Sequence, residues 1–196
     1  MPVAEEVLVA FDFTACRRVL LRAVLAALRS RAKKIQAIER GGGGQLPTIT
    51  GVSLDLAPWH GGVGLSLRIA ADPTDPVRHF SSVEWKHFGF LSPENCPALE
   101  PIGEYIQKCC RAKGQRGSLD MAHLIFLAGA DALLDKKVAA FFQEVGVDAL
   151  VIRAKLEAHD FDCVVVDPDG TIKANYCELV LANRVTRRLL GESGGF

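Results

Sequence analysis

The sequence has no excess of charge of either sign, no long apolar run and no metal-ligand motif. Lys plus Arg and Asp plus Glu each total 23 of 196 residues, so the formal net charge is zero. That balance disfavours a dedicated nucleic-acid binder or an acidic decoy, while leaving room for a local patch. No stretch approaches the roughly 18 apolar residues of a membrane span. The N-terminus carries Glu5, Glu6 and Asp12 and no early basic residue, unlike a secretory signal, so the cytoplasm is the expected location. There is no C-x-x-C and no H-E-x-x-H, and the five histidines are irregularly spaced. His159 and Cys163 fit no metal template, so neither a metal nor another cofactor is expected.

What is present is an ordinary globular composition, 49% hydrophobic and 23% charged, which excludes a disordered chain. A chain this long buries roughly two-thirds of its unfolded surface and needs no disulfide. Cys16, Cys96, Cys109, Cys110, Cys163 and Cys177 are therefore read as reduced thiols, mostly small core residues.

The first strong element is a helix over residues 14–39, with Thr14 as N-cap and Gly41 to Gly44 at its end. Steps of 100° place Leu20, Val24, Leu28, Ile35 and Ile38 in one arc of about 80°. Arg18, Arg22, Arg29, Lys33 and Arg40 fall nearly opposite, in an arc of about 60°. Arg31 sits among the apolar positions and has no place in this scheme. The period then becomes two: Val52, Leu54 and Leu56 alternate with Ser53 and Asp55, and Val63, Leu65, Leu67 and Ile69 with Ser66 and Arg68. This pattern predicts an antiparallel hairpin with one buried and one wet face, joined by Pro58-Trp59-His60-Gly61-Gly62.

Further along, residues 83–91 suggest a short aromatic strand, and residues 101–112 a helix. Helical spacing covers residues 119–145, interrupted near Gly129. Residues 149–157 fit strand or helix. Residues 161–166 and 171–176 predict a second hairpin around Asp167-Pro168-Asp169-Gly170, and residues 178–190 a final helix. The expectation is one α+β domain over residues 1–196, with residues 1–13 and 191–196 frayed. Its antiparallel or mixed sheet is built from two hairpins and packs against four or five helices, among them the long N-terminal amphipathic one.

No motif assembles a reaction. Gly191-Glu192-Ser193-Gly194-Gly195 spells G-x-S-x-G, but no acid or histidine follows it. Asp167-x-Asp169-Gly170 begins like a calcium loop, yet the later oxygen ligands are missing and Glu178 falls beyond an expected strand. Gly41 to Gly44 follows a helix, and Gly61-Gly62-Val63-Gly64 precedes a strand, so neither forms a phosphate cradle at a helix N-terminus. The sequence therefore argues for a non-catalytic protein. The rival is a small enzyme whose acid–base groups, His60, Glu84, His87 and Asp55, meet only in the fold.

The binding candidates are Trp59, His60, Glu84, Trp85 and His87, an aromatic and polar set on β-connections. The cationic residues Arg18, Arg22, Arg29, Lys33 and Arg40 form a second candidate surface, read first as a solvated face, then as a contact for an acidic partner, and last as a nucleic-acid contact; no aromatic is interleaved to stack on bases. The segment Ser82-Val83-Glu84-Trp85-Lys86-His87, after a helix and a strand pair, resembles a family of small bacterial proteins of unknown function. Some of its members are regarded as immunity proteins of polymorphic toxin systems. The likeness follows element order over most of the chain, and at residue level it is carried by Glu84 and Trp85. It departs at Pro58 to Gly61 and between Pro93 and Pro101. The resemblance implies an accessory binding protein whose partner is another protein. The two-faced first helix also allows a homodimer; nucleic acid and membrane are not expected partners.

Overall fold

The N-terminal apolar stripe folds as two helices rather than one. The computed structural model describes residues 11–41, 49–69, 72, 82–111, 114–147, 161–169 and 174–189. Helix α1 spans Phe13–Ser30 and α2 spans Ala32–Arg40. The break falls at Arg31, whose φ of −120° and ψ of 15° leave the helical region. Its guanidinium donates to the Asn95 carbonyl at 2.6 Å. A cation in apolar register is thus the joint between two helices. Asp12, not Thr14, caps α1 by accepting from the Ala15 N–H at 2.8 Å. Phe11 and Phe13, assigned to a frayed end on sequence, pack against the core. Leu20, Val24, Leu28 and Ile35 are buried as the stripe requires.

Four strands follow: β1 (Ile49–Ala57), β2 (Gly62–Ile69), β3 (His87–Leu91) and β4 (Asp162–Val166). Their order is β3-β2-β1-β4, in a mixed sheet with two antiparallel hairpins, β1–β2 and β2–β3. The second hairpin among the described residues is therefore β2–β3, and residues 162–166 pair in parallel with β1 instead. Strand β4 lies parallel to β1, with Leu54 opposite Val165. A parallel neighbour needs a long crossover, which α3 (Glu100–Arg111), α4 (Gly114–Leu133) and α5 (Lys136–Glu144) provide. Cys163 to Val166 are all buried, the two-sided burial of a parallel strand. Tyr176, expected to close a strand, instead opens α6 (Tyr176–Leu189). The chain is thus α+β, with six α-helices among the described residues.

Helix α4 runs unbroken through Gly129. A Cβ at that position would come within 3.1 Å of methyl groups of Leu54 and Leu56, so glycine lets the helix settle close against the sheet. The interruption lies at Asp135, which caps α5 by accepting from the Lys137 N–H at 2.9 Å. Arg17 of α1 donates to both Asp131 and Asp135, and Arg184 of α6 to Asp131, tying α1, α4, α5 and α6 together.

The β1–β2 hairpin alternates as the sequence indicates, but its polar face is not wet. Ser53, Asp55, Ser66 and Arg68 are all buried, together with Asp162 of β4. A 3-10 turn, Ser82–Glu84, contacts β2 and β3; the Ser82 hydroxyl reaches Asp55 on this face. Trp85 forms a small apolar cluster with Val164 and Val166, separate from the main core. Alternation marks two faces; here both are covered, one by helices and one partly by the turn and its tryptophan. Residues 149–157, residues 171–173, Gly42 to Gly44 and the G-x-S-x-G tail lie outside the described residues.

Candidate functional site

The polar face of the sheet is organised around one carboxylate. Asp55 accepts hydrogen bonds from the Ser53 and Ser82 hydroxyls at 2.6 Å each and from Ser66. Burial pushes its carboxyl above the ordinary value, and the three hydroxyls only partly offset that. Farther along the sheet, at the level of Gly51, Arg68 and Asp162 form a buried ion pair at 2.5 Å. Asp72 accepts from the Ile69 N–H at 2.7 Å and the Lys86 N–H at 3.0 Å. These bonds fasten residues 82–86 to the sheet at two points.

Two consecutive turns shape the segment itself: Trp85 N–H donates to the Ser82 carbonyl and Phe88 N–H to the Trp85 carbonyl, both at 3.0 Å. Trp85 is buried, so its indole serves as the base of this feature rather than its contact surface. What faces outward is Val83, 49% exposed, and Phe88, 44% exposed, with Glu84 and Lys86 exposed beside them. His87 is half-buried; burial, then Lys86 and Lys34, hold its imidazole below the ordinary value against the pull of Asp72. Leu65 pairs with Leu91 but Leu67 with His87, so four steps of β3 face two of β2, a bulge. Gly89, at φ 59°, lies in it and donates to Ser66 Oγ at 2.9 Å.

Trp59 and His60 lie in the β1–β2 turn, with Trp59 packed against the main core, whereas Trp85 packs on Val164 and Val166 in a separate cluster. Gly62 adjoins their turn, whereas His87 pairs with Leu67, five residues along β2 and so about 17 Å away. The structure therefore separates the five sequence candidates into Trp59 with His60 and Glu84 with Trp85 and His87. The acid–base quartet is likewise dispersed, because Asp55 is enclosed by serines. Around His60 stand residues that sequence reading did not group. Trp59 meets Phe126 edge to face at 6.5 Å, and Phe126 stacks on Tyr176 at 5.0 Å. The Tyr176 hydroxyl bonds His123 Nδ1; burial, then Asp167, push that phenol up to about 12. His60 Nε2 is 3.9 Å from an Asp169 carboxylate oxygen, both side chains being exposed. These groups sit past the carboxyl ends of the parallel pair β1 and β4, a common ligand location in open sheets. The missed signal was the direction of β4, which brings Asp167 and Asp169 beside Trp59 and His60.

Arg18, Arg22, Arg29, Lys33 and Arg40 are all exposed on α1 and α2. All six cysteines are free thiols, five of them buried. Burial first, then neighbouring groups, push Cys16 to about 12 and Cys110 to about 11, leaving neither as a thiolate nucleophile at neutral pH. Among the described residues no three His, Cys, Asp or Glu side chains gather as metal ligands, and no helix is long and apolar enough to cross a membrane. In comparisons with known proteins, no family model, curated protein or solved structure matches the chain. The likeness at Glu84 and Trp85 thus stands on those two residues.

Proposed function

We propose that this is a non-catalytic cytoplasmic protein that works by binding another protein through the surface of Val83, Glu84, Lys86, His87 and Phe88. The observation that carries the reading is the exposure of Val83 and Phe88 on a segment held from beneath. Ser82 is bonded to Asp55, Trp85 is buried, and the Lys86 N–H is bonded to Asp72. Exposed apolar side chains on a fixed frame give contact area at little ordering cost. The bulge and Gly89 interrupt the ladder of β3, which discourages strand addition and leaves side-chain contact as the mode of binding. Glu84 and Lys86 supply a charged rim. An immunity-type partner is what the likeness of Glu84 and Trp85 implies within this reading, and the reduced thiols support the cytoplasm. The test is affinity capture with wild type and a Val83→Glu/Phe88→Glu variant of equal thermal stability. A partner retained by wild type and lost by the variant supports the reading; equal retention, or no specific partner, overturns it.

A second reading, an enzyme with histidine acid–base chemistry, is favoured by one observation: His123 bonds Tyr176 while His60 stands beside Asp169 at the same end of the sheet. Tyr176 would orient His123 for proton transfer. Turnover of a small molecule by purified protein, lost in His123→Gln, would support this reading over the first.

A further inference from the structure

The cations of α1 and α2 fall into two sets. Arg17 pairs with Asp131 and Asp135, Arg31 donates to the Asn95 carbonyl, and Lys34 Nζ lies 5.0 Å from the Phe90 ring centroid. The fold uses these three. Arg18, Arg22, Arg29, Lys33 and Arg40 are exposed and have no ion-pair or ring partner among the described residues. The other exposed positions of the two helices are Thr14, Ala26, Ser30, Lys34 and Ala37. The exposed positions of the two helices thus carry cations and small residues, while the one acid within them, Glu39, is half-buried and accepts from the Ile49 N–H.

That composition selects among anionic partners. Protein hot spots are built from Trp, Tyr and Arg in well-packed, desolvated pockets, and this face sets its arginines among small residues that build no such pocket; an anionic bilayer is held best when apolar side chains also insert, and the large exposed apolar residues among the described ones, Val83, Phe88, Leu119, Leu124 and Leu179, all lie on other elements. A phosphate backbone needs only cations in a row and small residues that let it approach. Arg18 and Arg22 are one turn apart, about 6 Å along the axis, against a duplex carrying one charge per about 1.7 Å. Four of the five cations are arginines, whose planar fork suits phosphate oxygens. With no aromatic on the face, bases have nothing to stack on, so contact is to the backbone and is indifferent to sequence.

We infer that the outward face of α1 and α2 is a contact surface for the phosphate backbone of double-stranded nucleic acid. It is independent of the Val83–Phe88 surface, and either reading can fail without the other. The experiment is anisotropy of a labelled DNA duplex of about 20 base pairs titrated with the full chain between about 50 and about 200 mM salt. The expected result is binding that weakens by about 100-fold or more over that range, equally for two unrelated sequences. Arg18→Gln/Arg22→Gln/Arg29→Gln should lower the log–log salt slope by about 3, and single Arg22→Gln by about 1, with the thermal midpoint unchanged. Lys108→Gln, an exposed cation on α3, should leave the slope as it was. Absence of duplex binding at the lower salt overturns the proposal, as does a slope that Arg22→Gln leaves unchanged. Binding to poly-glutamate or to phosphatidylserine vesicles but not to duplex also overturns it.

Discussion

Ser82 donates a hydrogen bond to Asp55 at 2.6 Å across 27 positions of sequence, so the turn that presents Val83 is fastened to the middle of the sheet through a buried carboxylate. Exposed recognition residues and an enclosed acid are parts of one structure.

The first prediction concerns the charge of Asp55. Its folded value is raised by burial, so the native state binds its proton more tightly than the unfolded chain does. Stability therefore falls as pH rises from the ordinary carboxylate value of 3.8 through the raised one. Asp55→Asn removes this dependence. Any loss from imperfect amide hydrogen bonds is constant with pH, so the thermal midpoint of Asp55→Asn should gain on wild type across that window. Parallel curves for the two proteins would contradict the burial account.

Ser82→Ala removes the tether while leaving Ser53 and Ser66 on Asp55. Loss of a hydrogen bond to a buried polar group costs about 1–3 kcal/mol, and hydrogen exchange at residues 82–89 should quicken more than exchange in α4. A uniform change across the molecule would show that the bond does not hold the turn locally.

Glycine substitutions separate two kinds of close packing. A Cβ on Gly103 would overlap the Gly61 carbonyl oxygen, and Gly61 is itself fixed at φ 73° in the β1–β2 turn. Because backbone must move, Gly103→Ala should cost about 2–3 kcal/mol. Gly129 faces flexible leucine methyls at 3.1 Å instead, and alanine gains about 1 kcal/mol of helix propensity there. Gly129→Ala should stay near wild type and Gly129→Val fall well below it, as denaturant midpoints would show.

Arg17 gives an acid-side test of opposite sign to Asp55. Burial alone would raise the Asp135 carboxyl, but the Lys137 N–H and the Arg17 guanidinium outweigh it and hold the group below its ordinary value. That stabilisation is present above the unfolded value of 3.8 and is lost as pH falls through the depressed one. Arg17→Met should cost about 1–2 kcal/mol at neutral pH, with the deficit shrinking on acidification.

Local periodicity carried much of the fold. The stripe from Leu20 to Ile35 and the alternation from Val52 to Ile69 each bury the residues their spacing selects, because each pattern is set within one or two elements. Pairing between distant segments was not legible. Nothing near Cys163 to Val166 says that β1 is its neighbour, and an Asp-Pro-Asp-Gly turn reads equally as a hairpin or as the exit from a parallel strand. Gly129 was ambiguous for a physical reason: glycine breaks helices by propensity yet permits the closest approach to a sheet. Asp55 read as part of a wet face and Trp85 as a candidate contact residue, yet both are buried. Their burial depends on the turn at Ser82 and on β4, and neither contact leaves a local trace. Arg31 was the one honest misfit in the stripe, and it marks the helix break.

The most direct test of the central claim places a photoreactive benzophenone side chain at position 88 (Phe88→p-benzoylphenylalanine) and at position 108 (Lys108→p-benzoylphenylalanine) in separate full-length proteins, followed by irradiation in the native cell. The account predicts that position 88 crosslinks to one discrete protein species and that position 108 on α3 does not. No crosslink from position 88, or the same products from both positions, would contradict it.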